Sequence, residues 1–159
     1  MCIGKVYWKN ICLPSILYGF DIMKISHKDI NNLQTIENNV YRKILRAASY
    51  TPIGALRGEV GSSLMKTRIM KGKLIYFRGI FDRSNELLKE IVRNHKCKLT
   101  KEIDNLLQEI GLTKREFMLC NINDIKRKCK EWDDLKWKED NEKKVSLAIY
   151  NRNKARKLL

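Results

Sequence analysis

Apolar side chains recur along this chain at intervals of three and four, and no run alternates strictly enough to make a strand. Val6 to Leu17 predicts a helix in which Pro14 either introduces a kink or opens the last part, with Gly19 as its end. Ser26 then has the position of a cap, with Asp29 three residues on as in a capping box and Ile25 placed to pack on Ile30 as a hydrophobic staple. In the helix that follows, Ile30, Leu33, Ile36 or Glu37, Val40 and Ile44 step along one face, which is expected to be buried. Thr51-Pro52 pairs a capping hydroxyl with a proline at the first helical position. It predicts a short helix, weakened and ended by Gly58 and Gly61. Ser62 or Ser63 is expected to cap the next helix, which runs to about Arg83. That helix is apolar nearly all round (Leu64, Met65, Ile69, Leu74, Ile75, Tyr76, Phe77, Ile80), as a helix inside a bundle should be. Arg68, Lys71 and Arg78 fall within about 80° of one another on a helical wheel, a single polar stripe.

Beyond Arg83 the pattern loosens. Residues 84–98 read as a short helix and the polar bridge Arg93-Asn94-His95-Lys96-Cys97-Lys98. Thr100 opens a helix that Gly111 stops. Thr113 with Glu116 forms a capping box, with Leu112 placed to staple onto Phe117, and Asn121 with Asp124 repeats the device. From Ile125 the chain reads as charged helix. The expected architecture is all-α, a helical bundle at 1–83, a linker with a short helix at 84–98, and a basic helical extension at 99–159, with short connections and antiparallel packing.

Composition agrees with this and adds a partner class. Of 159 residues, 43% are hydrophobic, enough for a core, and only two prolines and eight glycines interrupt them. The formal charge is +15, from 33 basic and 18 acidic residues. It is uneven: residues 1–50 carry +4, 51–83 carry +5, 84–111 are neutral and 112–159 carry +6. Such a charge attracts polyanions at long range, and nucleic acid is the first candidate; general solubility is the plainer alternative. Five cysteines without a close pair suggest free thiols in a reducing compartment. His27 and His95 complete no zinc spacing with them. No secretory signal is legible. The apolar stretch Ile11 to Met23 contains Pro14 and Asp21 and is too short to span a bilayer. The expected setting is intracellular, in nucleus or cytoplasm.

Candidate chemistry is sparse. Asp133-Asp134 invites comparison with the paired aspartates that hold two metal ions in polymerase palms. Here Glu131 stands where an aromatic residue is required and the context is helical. The expected role is a solvated face offsetting Lys136 and Lys138, and no metal or cofactor is expected. The spacing of Gly54, Gly58 and Gly61 lacks the Gly-Lys-Ser/Thr end of a phosphate loop. These glycines read either as tight helix packing or as close approach of backbone to a phosphate. No Gly-x-Ser-x-Gly elbow is present, and no cysteine–histidine pair beyond His95–Cys97 suggests a nucleophile.

Three signals fall in a fixed order: Leu17-Tyr18-Gly19, the run Ile36 to Leu45, and Thr51-Pro52 with Ala55-Leu56, Glu59 and Gly61 leading into a basic helix. Together they resemble the reverse transcriptase of non-LTR (LINE-type) retrotransposons, in the helical thumb that follows the catalytic palm. Ser146 to Tyr150 with Lys154 resembles a stretch near that protein's C-terminal end. The resemblance is clearest over residues 5–81 and poorer over 84–140. It implies a thumb-like bundle and a non-catalytic piece of the polymerase, because the fingers, the palm with its catalytic aspartates and the endonuclease have no counterpart here, nor does the downstream cysteine–histidine knuckle.

A thumb holds the template–primer duplex through backbone contacts that carry no sequence information. The resemblance therefore implies weak binding of RNA, DNA or their hybrid, with Arg42, Lys43, Arg46, Arg57, Arg68, Lys71 and Arg78 as phosphate contacts. Each is also explicable as a solvated helix face, and the cations closing the helix before Ala47 also suit its negative dipole end. Trp132 and Trp137 are available either to stack on bases or to anchor the core. Two other roles stay open. One is a protein-interaction module, in which Ile3, Val6, Tyr7, Ile11 and Leu13 form an exposed apolar surface for a palm or another protein. The other is a retroelement remnant without a function.

Overall fold

The computed structural model describes residues 3–83, 86–94 and 98–142, and among these it is all-α, with no strand. In chain order the helices are α1 (Ile3–Tyr7), a π-helical turn (Trp8–Cys12), α2 (Leu13–Leu17), α3 (His27–Leu45), α4 (Ile53–Val60), α5 (Met65–Asp82), α6 (Glu86–Asn94), α7 (Lys98–Glu109), α8 (Lys114–Leu119) and α9 (Ile122–Glu142). The described residues fall into two compact units, 3–16 with 27–65 and 133–142, and 17–26 with 66–83, 86–94 and 98–132. Each unit draws on residues from both sides of 84–98. His95, Cys97, Ser146 to Tyr150 and Lys154, which carried expectations above, lie outside the described residues.

Pro14 explains the first irregularity. A proline within a helix lacks a donor and crowds the carbonyl four residues earlier. Just ahead of it the helix widens, and the Leu13 amide donates to Trp8 O, five residues back, the signature of a π turn. The helical run thus continues through the proline to Leu17, and Gly19 ends it at φ +80°.

In the first unit Trp8, Tyr41 and Val60 are buried together, with Cys12, Ile16, Val40 and Ile44 packed on them. On the buried line of α3, where either Ile36 or Glu37 was expected, the polar residue is inside. Ile36 is 51% exposed, whereas Glu37 and Tyr41 are fully buried. Glu37 is inside because its hydrogen-bonding partners are there: Trp8 Nε1 donates at 3.4 Å, Gln34 Nε2 at 3.2 Å, and Tyr41 Oη also donates to its carboxylate. Tyr41 Oη further meets Ser62 Oγ at 2.6 Å. A buried carboxylate surrounded by donors is tolerated where an isolated one is not.

Caps mark the helix ends. Thr113 and Glu116 form the expected capping box, and Asn121 and Asp124 bond reciprocally, at 3.3 and 2.9 Å. Gly61 and Gly111 take φ +61° and +70° after α4 and α7. Leu112 N donates to Leu107 O at 2.9 Å and Gly111 N to Gln108 O at 3.1 Å, the paired bonds of a Schellman cap. Thr51 is not the cap of α4: that place belongs to Pro52, with no side-chain cap bond. The start of α5 also differs from expectation. Leu64 N donates to Asp133 Oδ1 at 3.0 Å and Met65 N to Gln34 Oε1 at 2.7 Å, while Ser62 turns to Tyr41. Two amides that a helix start leaves open are thus met by side chains 69 and 31 residues away.

The second unit is built on α5, whose Ile69, Met70, Leu74, Phe77 and Ile80 are buried as its composition predicts. Phe77 meets Phe81 edge-on, with centroids 5.3 Å apart, and lies 6.2 Å from Phe117 of α8. Lys73 is buried too, at 2% exposure. Its ammonium donates to Met23 O at 2.6 Å and pairs with Glu102 at 2.9 Å. A Cβ at Gly72 would meet the carboxylate of Asp21, so that side chain would have to move aside.

Candidate nucleic-acid interface

The seven cations expected to meet phosphate divide between the units, and their surroundings differ sharply. Arg42, Lys43 and Arg46 close α3, at the negative end of the helix dipole, where a cation is favoured. Lys43 and Arg46 are exposed, and neither forms an ion pair with a described residue. Arg42 is half-buried, its Nη1 donating to Asn39 Oδ1 at 3.2 Å. Arg46 has a second distinction. Ala47 N bonds Arg42 O at 2.9 Å and Arg46 N bonds Lys43 O at 3.3 Å, so Arg46 occupies the left-handed place of a Schellman cap at φ +51°. Glycine is usual there because it has no Cβ penalty. Arg46 is exposed at this helix end.

Arg57 does not belong with them. It is 4% exposed, and its Nη2 lies 3.2 Å from Asp133 Oδ1. A guanidinium this deep and already paired is an internal strut, and it leaves the set of phosphate contacts. Its partner corrects a second expectation: Asp133 is 6% exposed and does not lie on a solvated face, whereas Asp134 does. Sequence reasoning missed the pair because its members are 76 residues apart. Only the adjacency of a charged doublet to Trp132 and Trp137 gave any local hint of burial.

On α5, Arg68, Lys71 and Arg78 are all half-buried. Arg78 is committed: Nη1 donates to Met118 O at 2.9 Å, tying α5 to the end of α8, and Nη2 pairs with Asp82 at 3.2 Å. Lys71 lies close enough to Cys129 for its charge to favour the thiolate, but burial dominates and pushes that thiol up to about 11. Cys129 is therefore a small apolar filler rather than a nucleophile.

The tryptophans are anchored. Trp132 is 9% exposed with the Lys66 ammonium 5.4 Å from its ring centroid, and Trp137 Nε1 donates to Gly54 O at 3.1 Å. Gly54 thus offers its carbonyl inward, and Gly61 serves the helix cap. Among the described residues no cluster of three or more His, Cys, Asp or Glu could hold a metal ion, and no helix is long and apolar enough to cross a membrane. Of the apolar residues expected near the start, Ile3, Tyr7 and Ile11 are 84%, 57% and 52% exposed, Val6 is half-buried, and Leu13 is buried at 8% within the helical run. Comparisons with family profiles, with curated proteins and with solved structures return no match.

Proposed function

We propose that this chain is a thumb-like, non-catalytic part of a non-LTR retrotransposon reverse transcriptase, and that it binds the phosphate backbone of RNA, DNA or their hybrid without reading sequence. The observation that carries this reading is the exposed cationic end of α3, where Lys43 and Arg46 form no ion pair with a described residue, on a chain of net charge +15. Cations presented this way release counterions from a nucleic-acid backbone. The setting of the aspartate doublet supports binding over catalysis: Asp133 sits in α9 with its Oδ1 engaged by Arg57 and the Leu64 amide, not on a strand facing a metal. The compartment proposed with it is intracellular, nuclear or cytoplasmic.

The test is binding of the whole chain to a labelled RNA–DNA hybrid across a salt series, with Lys43→Ala/Arg46→Ala alongside. Affinity should fall with salt, and the slope of log K against log salt should shrink by about 0.9 for each phosphate contact removed. An unchanged slope in the variant would end this assignment. A second reading rests on Ile3, Tyr7 and Ile11, which present apolar surface near the start of the chain. Under it the protein associates with another protein, and that association persists at high salt.

A further inference from the structure

The second unit contains a groove of about 940 Å³ that neither reading uses. Its floor is Phe77 and Phe81 of α5, Val92 of α6 and Met118 of α8, and Leu119 forms a lip. Leu119 is 86% exposed, so the groove opens to solvent. Its polar edge is Lys101 and Asp104 of α7 with Lys114 and Arg115 of α8. Lys114 pairs with Asp104 at 3.1 Å, whereas Lys101 and Arg115 are exposed and form no ion pair with a described residue. The rim therefore has a surplus of positive charge. Lys114 and Arg115 stand in the first turn of α8, at the positive end of the helix dipole, where cations are unfavourable. Helix stability does not explain them.

We infer that this groove docks an acidic amphipathic helix of a protein partner. Three physical arguments select that occupant. A small ligand buries most of its surface in a concave site, while the lips here are exposed. An extended peptide gains affinity by adding to a sheet edge, and the described residues contain no strand. A helix satisfies its own backbone and needs only side-chain contacts, namely apolar anchors at three-four spacing for Phe81, Met118 and Leu119, and acidic flanks for Lys101 and Arg115. A nucleic-acid base is a poor fit, since stacking needs an open aromatic face. Phe77 is 2% exposed and meets Phe81 edge-on at 66°. The inference is independent of the proposed function.

The experiment is fluorescence anisotropy with the full chain and a labelled synthetic helix of about 18 residues, carrying Leu at three-four spacing and Glu elsewhere. Controls are a scrambled peptide of identical composition and a version with Lys in place of Glu. Binding in the micromolar range is expected for the acidic helix only. Leu119→Asp, at a surface position that leaves the fold intact by circular dichroism, should weaken it at least about tenfold. Lys101→Glu/Arg115→Glu should weaken the acidic helix and gain affinity for the lysine version. No binding at about 100 μM, equal binding of the scrambled peptide, or indifference to both variants would overturn the proposal. Displacement of the peptide by RNA–DNA hybrid, lost in the same variants, would also overturn it by making the groove a nucleic-acid surface.

Discussion

Asp133→Ala should be among the most damaging single changes in the first unit. The native carboxylate accepts from Arg57 Nη2 at 3.2 Å and from the Leu64 amide at 3.0 Å, both at Oδ1, and Arg57 is 4% exposed. Removing the carboxylate takes this ion pair from a buried guanidinium and opens an amide at the start of α5. Breaking a buried pair from one side costs about 3–5 kcal/mol. For a chain of this length 1 kcal/mol moves the melting temperature by roughly 2–4 °C, so a drop of about 6–20 °C is expected. Asp133→Asn keeps an acceptor for Leu64 but loses the charge, and should cost about 1–3 kcal/mol. Arg57→Met/Asp133→Leu should recover much of the loss, because no charge is then left buried. Urea and thermal unfolding followed by far-UV circular dichroism would measure all three. A cost below about 1 kcal/mol for Asp133→Ala, as for an exposed pair, would refute the reasoning.

Arg46→Gly should raise stability by up to about 1 kcal/mol by relieving the left-handed conformation while weakening binding to RNA–DNA hybrid, so melting temperature and affinity should move in opposite directions. Thr113→Ala should cost about 1 kcal/mol in unfolding experiments by removing the cap of α8. The Thr113 amide and then its hydroxyl lower the Glu116 pKa. That contribution is therefore present above the unfolded carboxylate pKa and lost as pH falls through the folded one, a decline that Glu116→Gln should not show in acid titrations of stability. Cys129 should react far more slowly with a maleimide at neutral pH than half-buried Cys12 and Cys120. With its thiol pushed up to about 11, the folded form holds the proton longer, so its contribution to stability is lost as pH rises from the usual thiol range through the folded value. Equal labelling of Cys129 and Cys120 would contradict its burial.

The sequence by itself determined the local features. Gly19, Gly61 and Gly111 as helix ends, the reciprocal bonds of Thr113 with Glu116 and of Asn121 with Asp124, and the buried α5 all depend on neighbours three or four residues away, and these are visible as a pattern. The charge of +15 was legible in the same way. Only the tertiary structure decided which polar groups go inside. Glu37 rather than Ile36 lies on the buried line because Trp8, 29 residues away, donates to it. Lys73 is buried because Met23 O, 50 residues away, accepts a hydrogen bond from its ammonium. Arg57 and Asp133 exchange solvent for each other across 76 residues. A charge run is solvated unless a distant partner satisfies it, and linear spacing carries no record of that partner. The surplus cations of the groove were equally hidden, since Lys101 and Arg115 belong to separate helices that only folding brings to one rim.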